Sequence, residues 1–412
     1  QEGAGVRQSD VALLTSTEGR HLLEQLPPYD EREALRLGDT LRRQGHSPDL
    51  VAAVLTQARL RTTVGRRWGT PSASLVRRLL LTPDGAEQAT RPAVAALRAQ
   101  RFRSVGGDAT VVDLGCGIGL DALALVENGM HVEAFECDRL TAAVAGANAA
   151  AMGYADRLTV THGDVTQISS SQLLRYDAAF ADPARRRNGR RLSRPESWSP
   201  PLSWVLDLPF SDLGVKVAPG LDHERVPPDT EFAVVSAGGD VVEAALYRGA
   251  PRAAGVLRSA TVLPSGAHVT DADLPTGPPT SDPVGRYLHE PDGAVIRAGL
   301  VAAVAHQIGG WLIDPQIAYV SSDEPARSPF LTSYEVLEVM PFSHKRLRAH
   351  LRVHDVGHVV VKKRGSAVDV DGLRRSLRLD RGAPGRRTFL LTRIGKDPLA
   401  IVGRPLVPAP DV

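Results

Sequence analysis

The chain has 412 residues, enough for two or three domains, and its 42% hydrophobic content supplies ordinary globular cores. A formal net charge of +2 excludes a uniformly basic nucleic-acid coat, so any basic surface has to be local. Two cysteines without a spacing motif exclude a disulfide framework and point to a reducing cytoplasm, no apolar run nears about 18 residues, no leader pattern is present, and the histidines lack cysteine partners, so neither a membrane span nor a metal site is expected.

Residues 9–104 read as helical. Leucine and alanine recur at helical spacing in LLTSTEGRHLLEQL and REALRLGDTLRRQG. Ser47 followed by Pro48, and Thr82 followed by Pro83, are helix starts, because proline fits the first helical position. Glu87, Gln88 and Thr90 stand just ahead of the first core strand, where they either line a pocket or form an ordinary helix surface.

Residues 111–138, VVDLGCGIGLDALALVENGMHVEAFECD, form one strand–loop–helix–strand unit. Gly115, Gly117 and Gly119 are spaced G-x-G-x-G, whereas a dinucleotide turn prefers G-x-G-x-x-G; Leu120 takes the place of that last glycine, and Asp113 opens the turn. The pattern favours S-adenosylmethionine over NAD. Asp113 is suited to accept hydrogen bonds from a ligand ammonium or from loop amides, and the helix starting near Leu120 aims its amide dipoles at a ligand carboxylate. Glu136 ends the second strand and suits two ribose hydroxyls, while Asp138 reads as a helix N-cap. Residues 158–165 form a third strand ending at Asp164, an acceptor for an adenine amino group, and residues 176–186 a fourth ending at Asp182-Pro183.

Strand ends in register, each carrying an acid, match the signature of class I methyltransferases, and the resemblance covers roughly residues 85–250. It implies an α/β Rossmann-like class I methyltransferase sheet and S-adenosyl-L-methionine as cofactor. Asp182-Pro183-Ala184-Arg185 is similar to the D-P-P-R and D/N-P-P-aromatic motifs of RNA and DNA methyltransferases, in which the acid or amide holds an exocyclic amine. Here Ala184 replaces the second proline, and Arg185 replaces the stacking aromatic. The cysteines, Cys116 and Cys137, both lie in the cofactor half, so thiolate attack on a pyrimidine is not expected. The run 184–194 holds Arg185, Arg186, Arg187 and Arg190 beside the acceptor position, a phosphate-binding lip or a solvated loop; Trp198 and Trp204 follow as stacking faces or core residues. The chain has five lysines, Lys216, Lys345, Lys362, Lys363 and Lys396, so arginine is its default cation.

Residues from Leu213 to Gly249 read as the last strands of the sheet, with a hairpin turn at Gly238-Gly239-Asp240. Residues 264–285 read as a linker or long loop, and 293–311 as one amphipathic helix. The tail reads strand, basic helix, strand, helix and strand hairpin. It resembles the THUMP-like domain that follows some bacterial S-adenosylmethionine-dependent methyltransferases, with Lys362 and Lys363 at a basic strand end. The expected divisions are an N-terminal helical region 1–84, a methyltransferase domain 85–262, a linker and small α+β region 263–335 and an α+β THUMP-like domain 336–412. The leading expectation is methyl transfer to a base nitrogen in structured RNA (tRNA or rRNA), with Asp182, Pro183 and Arg185 at the acceptor, and Arg186, Arg187, Arg190, Lys362 and Lys363 on the RNA. A small-molecule methyltransferase with a structural tail, and a non-catalytic RNA-binding protein that keeps the cofactor, are the alternatives.

Overall fold

A computed structural model of the chain describes residues 6–187, 190–379 and 382–406. It divides into two compact units, Gln1–Ala218 with Pro227–Thr230 and Ala245–Ala253, and Pro219–Val226 with Glu231–Ala244 and Ala254–Val412. Among the described residues, no helix is long and apolar enough to cross a membrane.

The first unit opens with the helical front that the leucine spacing implies: α1 (Gln8–Thr15), α2 (Thr17–Gln25), α3 (Ala34–Arg43), α4 (Pro48–Trp68), α5 (Ala73–Arg78), α6 (Pro83–Gln88) and α7 (Pro92–Phe102). Ser47 caps α4 by accepting from the Leu50 amide, and Thr82 caps α6 by accepting from the Gly85 amide at 2.9 Å. The parallel strands are β1 (Thr110–Leu114), β2 (His131–Glu136), β3 (Leu158–His162) and β4 (Ala178–Ala181), with α8 (Leu120–Glu127) after β1 and α9 (Arg139–Met152) after β2. A two-stranded ribbon, β5 (Arg186–Arg187) and β6 (Arg190–Arg191), precedes β7 (Leu213–Val217). The strand order is β3-β2-β1-β4-β7, followed by the C-terminal half of β9 (Asp240–Arg248). Val111, Val112 and every residue of β4 are fully buried, the continuous apolar pattern of strands covered on both faces. The chain leaves β1 in one direction through β2 and β3, and in the other through β4. The crevice at this reversal lies beyond Leu114 and Ala181, where open α/β sheets bind ligands.

Two buried amides tie the segment before α6 to helices α4 and α9. Gln57 of α4 donates to the Leu81 carbonyl at 2.8 Å and accepts from its amide at 2.9 Å. Asn148 of α9 accepts from the Leu80 amide at 2.7 Å and donates to the carbonyls of Leu80, at 3.1 Å, and Ile118, at 2.9 Å. They supply the partners that a neighbouring strand would otherwise provide.

In the second unit, β8 (Glu231–Ala237) and the N-terminal half of β9 flank the Gly238-Gly239 turn, in which both glycines have positive φ as a tight hairpin requires. β10 (Arg258–Leu263) pairs parallel with β8, and β11 (Ala267–Thr270) pairs antiparallel with β10. The stretch 264–285 is therefore not all linker: four of its residues extend the sheet. The helix expected over 293–311 is also corrected. Gly299, at φ +70°, ends a first turn at Gly293–Arg297, a second helix runs Val301–Gln307, and Trp311 already opens a strand.

The other strands are β12 (Tyr287–Pro291), β13 (Trp311–Asp314), β14 (Ile317–Ser322), β15 (Leu331–Pro341), β16 (Val356–Lys363), β17 (Gly385–Ile394) and β18 (Asp397–Pro405), in the order β13-β14-β12-β15-β18-β17-β16. Alternation along β17 and β18 sends Phe389, Leu391, Ala400 and Val402 to one face, under the helices His344–Val353 and Val370–Leu377, and Leu390 and Ile401 to the other, with Ile317 and Tyr334. Replacing Asn148 with leucine leaves buried backbone groups of Leu80 and Ile118 unpaired, and should lower unfolding free energy by about 2–4 kcal/mol in a denaturant titration; a loss below about 1 kcal/mol would mean the amide is not what holds this segment.

Candidate active site

The glycine loop is shaped by its own strand ends. The Gly115 and Cys116 amides both donate to the Phe135 carbonyl at 3.0 Å, and the Gly117 amide donates to the Glu136 carboxylate at 3.0 Å. Gly115, at φ +95°, is strained for any side chain, and a Cβ there would lie a tight 3.1 Å from the Asp182 carbonyl oxygen. Gly117, at φ +56°, faces open space, so the loop backbone is accessible from that side. Gly119 takes the left-handed conformation and starts α8. The loop therefore runs against the Asp182 turn, and the Asp182 amide donates back to the Leu114 carbonyl at 3.3 Å.

Of the strand-end acids, Asp113 has the most unusual setting. It is fully buried, and neither carboxylate oxygen has a hydrogen-bond partner among the described residues. The loop amides expected as its partners turn instead to Phe135 and Glu136. Burial, reinforced by the negative charges of Asp182 and Glu136, pushes its carboxyl up to about 8, although Arg98 and Lys216 pull the other way. Glu136 also accepts from the Asp138 amide at 2.9 Å, and Asp138 caps α9 through the Thr141 amide at 2.8 Å. Asp164 is exposed beyond β3, where it accepts from the Thr166 amide at 2.9 Å.

Asp182 ends β4 with its side chain 29% exposed and accepts from the Lys216 ammonium at 2.8 Å. Lys216 is buried on β7 and also donates to the Thr90 hydroxyl at 2.8 Å. Thr90 donates to Asp121 at 2.7 Å, and Asp121 is ion-paired with Arg98, whose guanidinium stacks over Phe180. Asp121 and Arg98 escaped the sequence reading, which placed Lys216 only among the chain's few lysines. The available signal was a lone charge inside an apolar strand, LGVKV, in a chain that otherwise uses arginine. Of the stretch 87–90, Thr90 is the residue brought into this network.

The other expected residues lie in these surroundings. Pro183 is buried, and the Ala184 amide and carbonyl bridge to Ser199, which stiffens the turn that lacks a second proline. Arg185 donates to the Val217 carbonyl at 3.0 Å, so its guanidinium caps the end of β7. Trp198 is a core residue, 3% exposed and donating to the Leu192 carbonyl, not a stacking face; Trp204 is half-buried. The backbones of Arg186, Arg187 and Arg190 lie in the ribbon, and their side chains are outside the described residues. In the second unit, Lys362 is paired with Glu290, as is Arg364 at 3.5 Å, and Lys363 donates to the Val368 carbonyl at 3.0 Å. Lys362 is thus neutralised inside its own unit because a distant strand supplies an acid. Burial pushes the Cys116 thiol well up, and the Cys137 thiol is also raised, which disfavours a thiolate nucleophile. Among the described residues, no group of acidic, histidine or cysteine side chains could hold a metal ion.

A Rossmann-like sheet, a glycine loop at its reversal point and acids at successive strand ends define a nucleotide-cofactor enzyme. Two proteins of Mycobacterium tuberculosis strains, each named "Uncharacterized S-adenosylmethionine-dependent methyltransferase", are 37% identical over 328 residues, spanning 78% of this chain and 87% of theirs. A family model described as THUMP domain-like matches residues 331–405, and a model for a domain of unknown function matches 7–63. A tRNA1(Val) (adenine(37)-N6)-methyltransferase of Klebsiella pneumoniae is 39% identical over 82 residues, 19% of this chain and 34% of that one. The solved "putative methyltransferase from Porphyromonas gingivalis W83" superposes with a TM-score of 0.68 at 21% identity, over 92% of this chain and all of that one, and shows the same fold. The chain belongs to the S-adenosylmethionine-dependent methyltransferases, here with a C-terminal THUMP-like domain.

The residues present fit this cofactor. Asp113 is a buried carboxylate without a counter-charge of its own, suited to an amino-acid ammonium, and the open side of Gly117 leaves room for a ligand against the loop. The pH consequence has a definite sign. The folded-state value is raised, so between the ordinary value of 3.8 and about 8 the folded protein holds a proton that the unfolded chain has lost, and stability falls as pH rises through that window. Thermal melts without cofactor should show this fall, with S-adenosylmethionine stabilising more as pH rises. Asp113→Asn should flatten the fall and weaken cofactor binding by roughly 1.5–3 kcal/mol. A wild-type melt insensitive to pH across the window would contradict the assignment.

Proposed function

We propose that the protein transfers a methyl group from S-adenosylmethionine to a base nitrogen in structured RNA, tRNA or rRNA. The observation that carries this reading is the partly exposed Asp182 carboxylate at the end of β4, on a turn whose backbone carbonyl lies against the glycine loop. Asp113, Gly115, Gly117, Gly119, Glu136 and Asp164 hold the cofactor in this reading. Bound S-adenosylmethionine supplies an activated methyl on a sulfonium, so the protein's task is to position the acceptor and exclude water.

Asp182 accepts a hydrogen bond from the acceptor nitrogen and aims its lone pair. As that lone pair bonds the methyl carbon, the carbon–sulfur electron pair remains on sulfur, and the nitrogen's surplus proton passes to Asp182 and on to water. Pro183 and the Ala184–Ser199 bridge keep the turn from yielding. Arg185 acts on the turn itself, through Val217, more than on a base.

RNA as the acceptor is supported by the short match to a tRNA adenine-N6-methyltransferase and by the THUMP domain-like tail. Within that tail, Lys345, Arg346 and Arg352 are exposed cations on the helix His344–Val353 and are proposed as phosphate contacts beside Lys362 and Lys363. The arginines of the ribbon, Arg186, Arg187 and Arg190, are proposed as further phosphate contacts.

The test is transfer of radiolabelled methyl to total RNA from a strain lacking the gene, with small-molecule extract in parallel. Wild type should label RNA. Asp182→Ala should lose transfer by on the order of 100-fold or more while cofactor affinity stays nearly unchanged. Label confined to the small-molecule extract would replace the RNA reading with a small-molecule one. Cofactor affinity falling as far as activity would make Asp182 a cofactor or folding residue.

A further inference from the structure

We propose that Lys216 is a positioning residue for methyl transfer, holding one oxygen of Asp182 so that the other meets an acceptor nitrogen that itself carries a hydrogen. The assignment rests on the role given to Asp182 above. It starts from register: Ala181 of β4 pairs with Val215 of β7, so the next residues, Asp182 and Lys216, emerge side by side at the ligand end of the sheet. The Lys216 side chain is 7% exposed and the Asp182 side chain 29%, so the cation is sealed in while part of the carboxylate faces outward. Lys216 reaches the Oδ2 oxygen of Asp182.

The remainder of the network fixes that geometry. An ammonium only donates, so the Thr90 hydroxyl has to accept from Lys216, and its own proton is thereby directed to Asp121. Asp121, on α8, is held by Arg98 of α7. The chain of donors runs one way, from Lys216 to an anchored acid, and leaves the ammonium little freedom to follow Asp182 if the turn moves. Lys216 from β7 is ion-paired with Asp182, and Arg185 on the same turn donates to the Val217 carbonyl. With one carboxylate oxygen held by Lys216, the other is left as an acceptor, which selects an amino group, whose N–H it can accept.

The test uses the full chain in the transfer assay, on total RNA and on small-molecule extract. Lys216→Met should lower turnover on the order of 100-fold, because the acceptor is misaimed while the cofactor site is kept. The dissociation constant for S-adenosylmethionine should stay within about threefold. Lys216→Arg should recover part of the rate. Should Lys216→Met not fold, Thr90→Val serves as the milder variant, with turnover down roughly tenfold and cofactor affinity likewise kept. A loss carried by cofactor affinity, or an arginine variant no better than methionine, overturns the role of Lys216. Transfer that survives Asp182→Ala overturns the reading of Asp182 instead. Wild-type transfer to neither fraction overturns both.

Discussion

Asp113 is held at the carboxyl end of β1 with no exposed surface and no hydrogen bond among the described residues, while each acid near it has a match. Asp121 is paired with Arg98, Asp182 with Lys216, and Glu136 with the amides of Gly117 and Asp138. An uncompensated buried carboxylate is costly, and burial with the charges of Asp182 and Glu136 favours the protonated form of Asp113. The ligand-binding end of the sheet is arranged around that one unmatched group.

The same arrangement bears on the proposed link between cofactor and acceptor. Asp113 and Asp182 end neighbouring strands, β1 and β4, and the negative charge of Asp182 favours the protonated form of Asp113. In the proposed reading a ligand ammonium at Asp113 takes the place of that proton. The glycine loop contributes by omission, since Gly115 leaves the space that the Asp182 carbonyl fills. Further out, Gln57 and Asn148 fix the segment that leads into α6 and the carbonyl of Ile118 within the loop.

Much of this was legible in the sequence, for reasons that are local. Strand ends announce themselves where an apolar run stops at an acid, so Asp113, Glu136 and Asp182 were found by position alone. Asp138 and Ser47 were readable as caps because capping is decided within a few residues. Burial and pairing were not legible, because they depend on partners far along the chain. Lys216 meets Asp182 across 34 residues, and Glu290 takes Lys362 across 72. Whether Trp198 was a stacking face or a core residue was left open for the same reason, and its indole is enclosed. The split at Gly299 was missed because an apolar periodicity can run through a break whose signal is one left-handed glycine. The strand β11 was missed because the prolines and glycines of 264–285 read as linker.

The most direct test of the unmatched carboxylate is calorimetric titration with S-adenosylmethionine near pH 6, repeated in buffers of different ionisation enthalpy. If Asp113 carries a proton until the cofactor's ammonium replaces it, binding releases close to one proton per cofactor, and Asp113→Asn abolishes the release. Binding without proton release in the wild type would contradict the account, because Asp113 would then already be charged and compensated by other means.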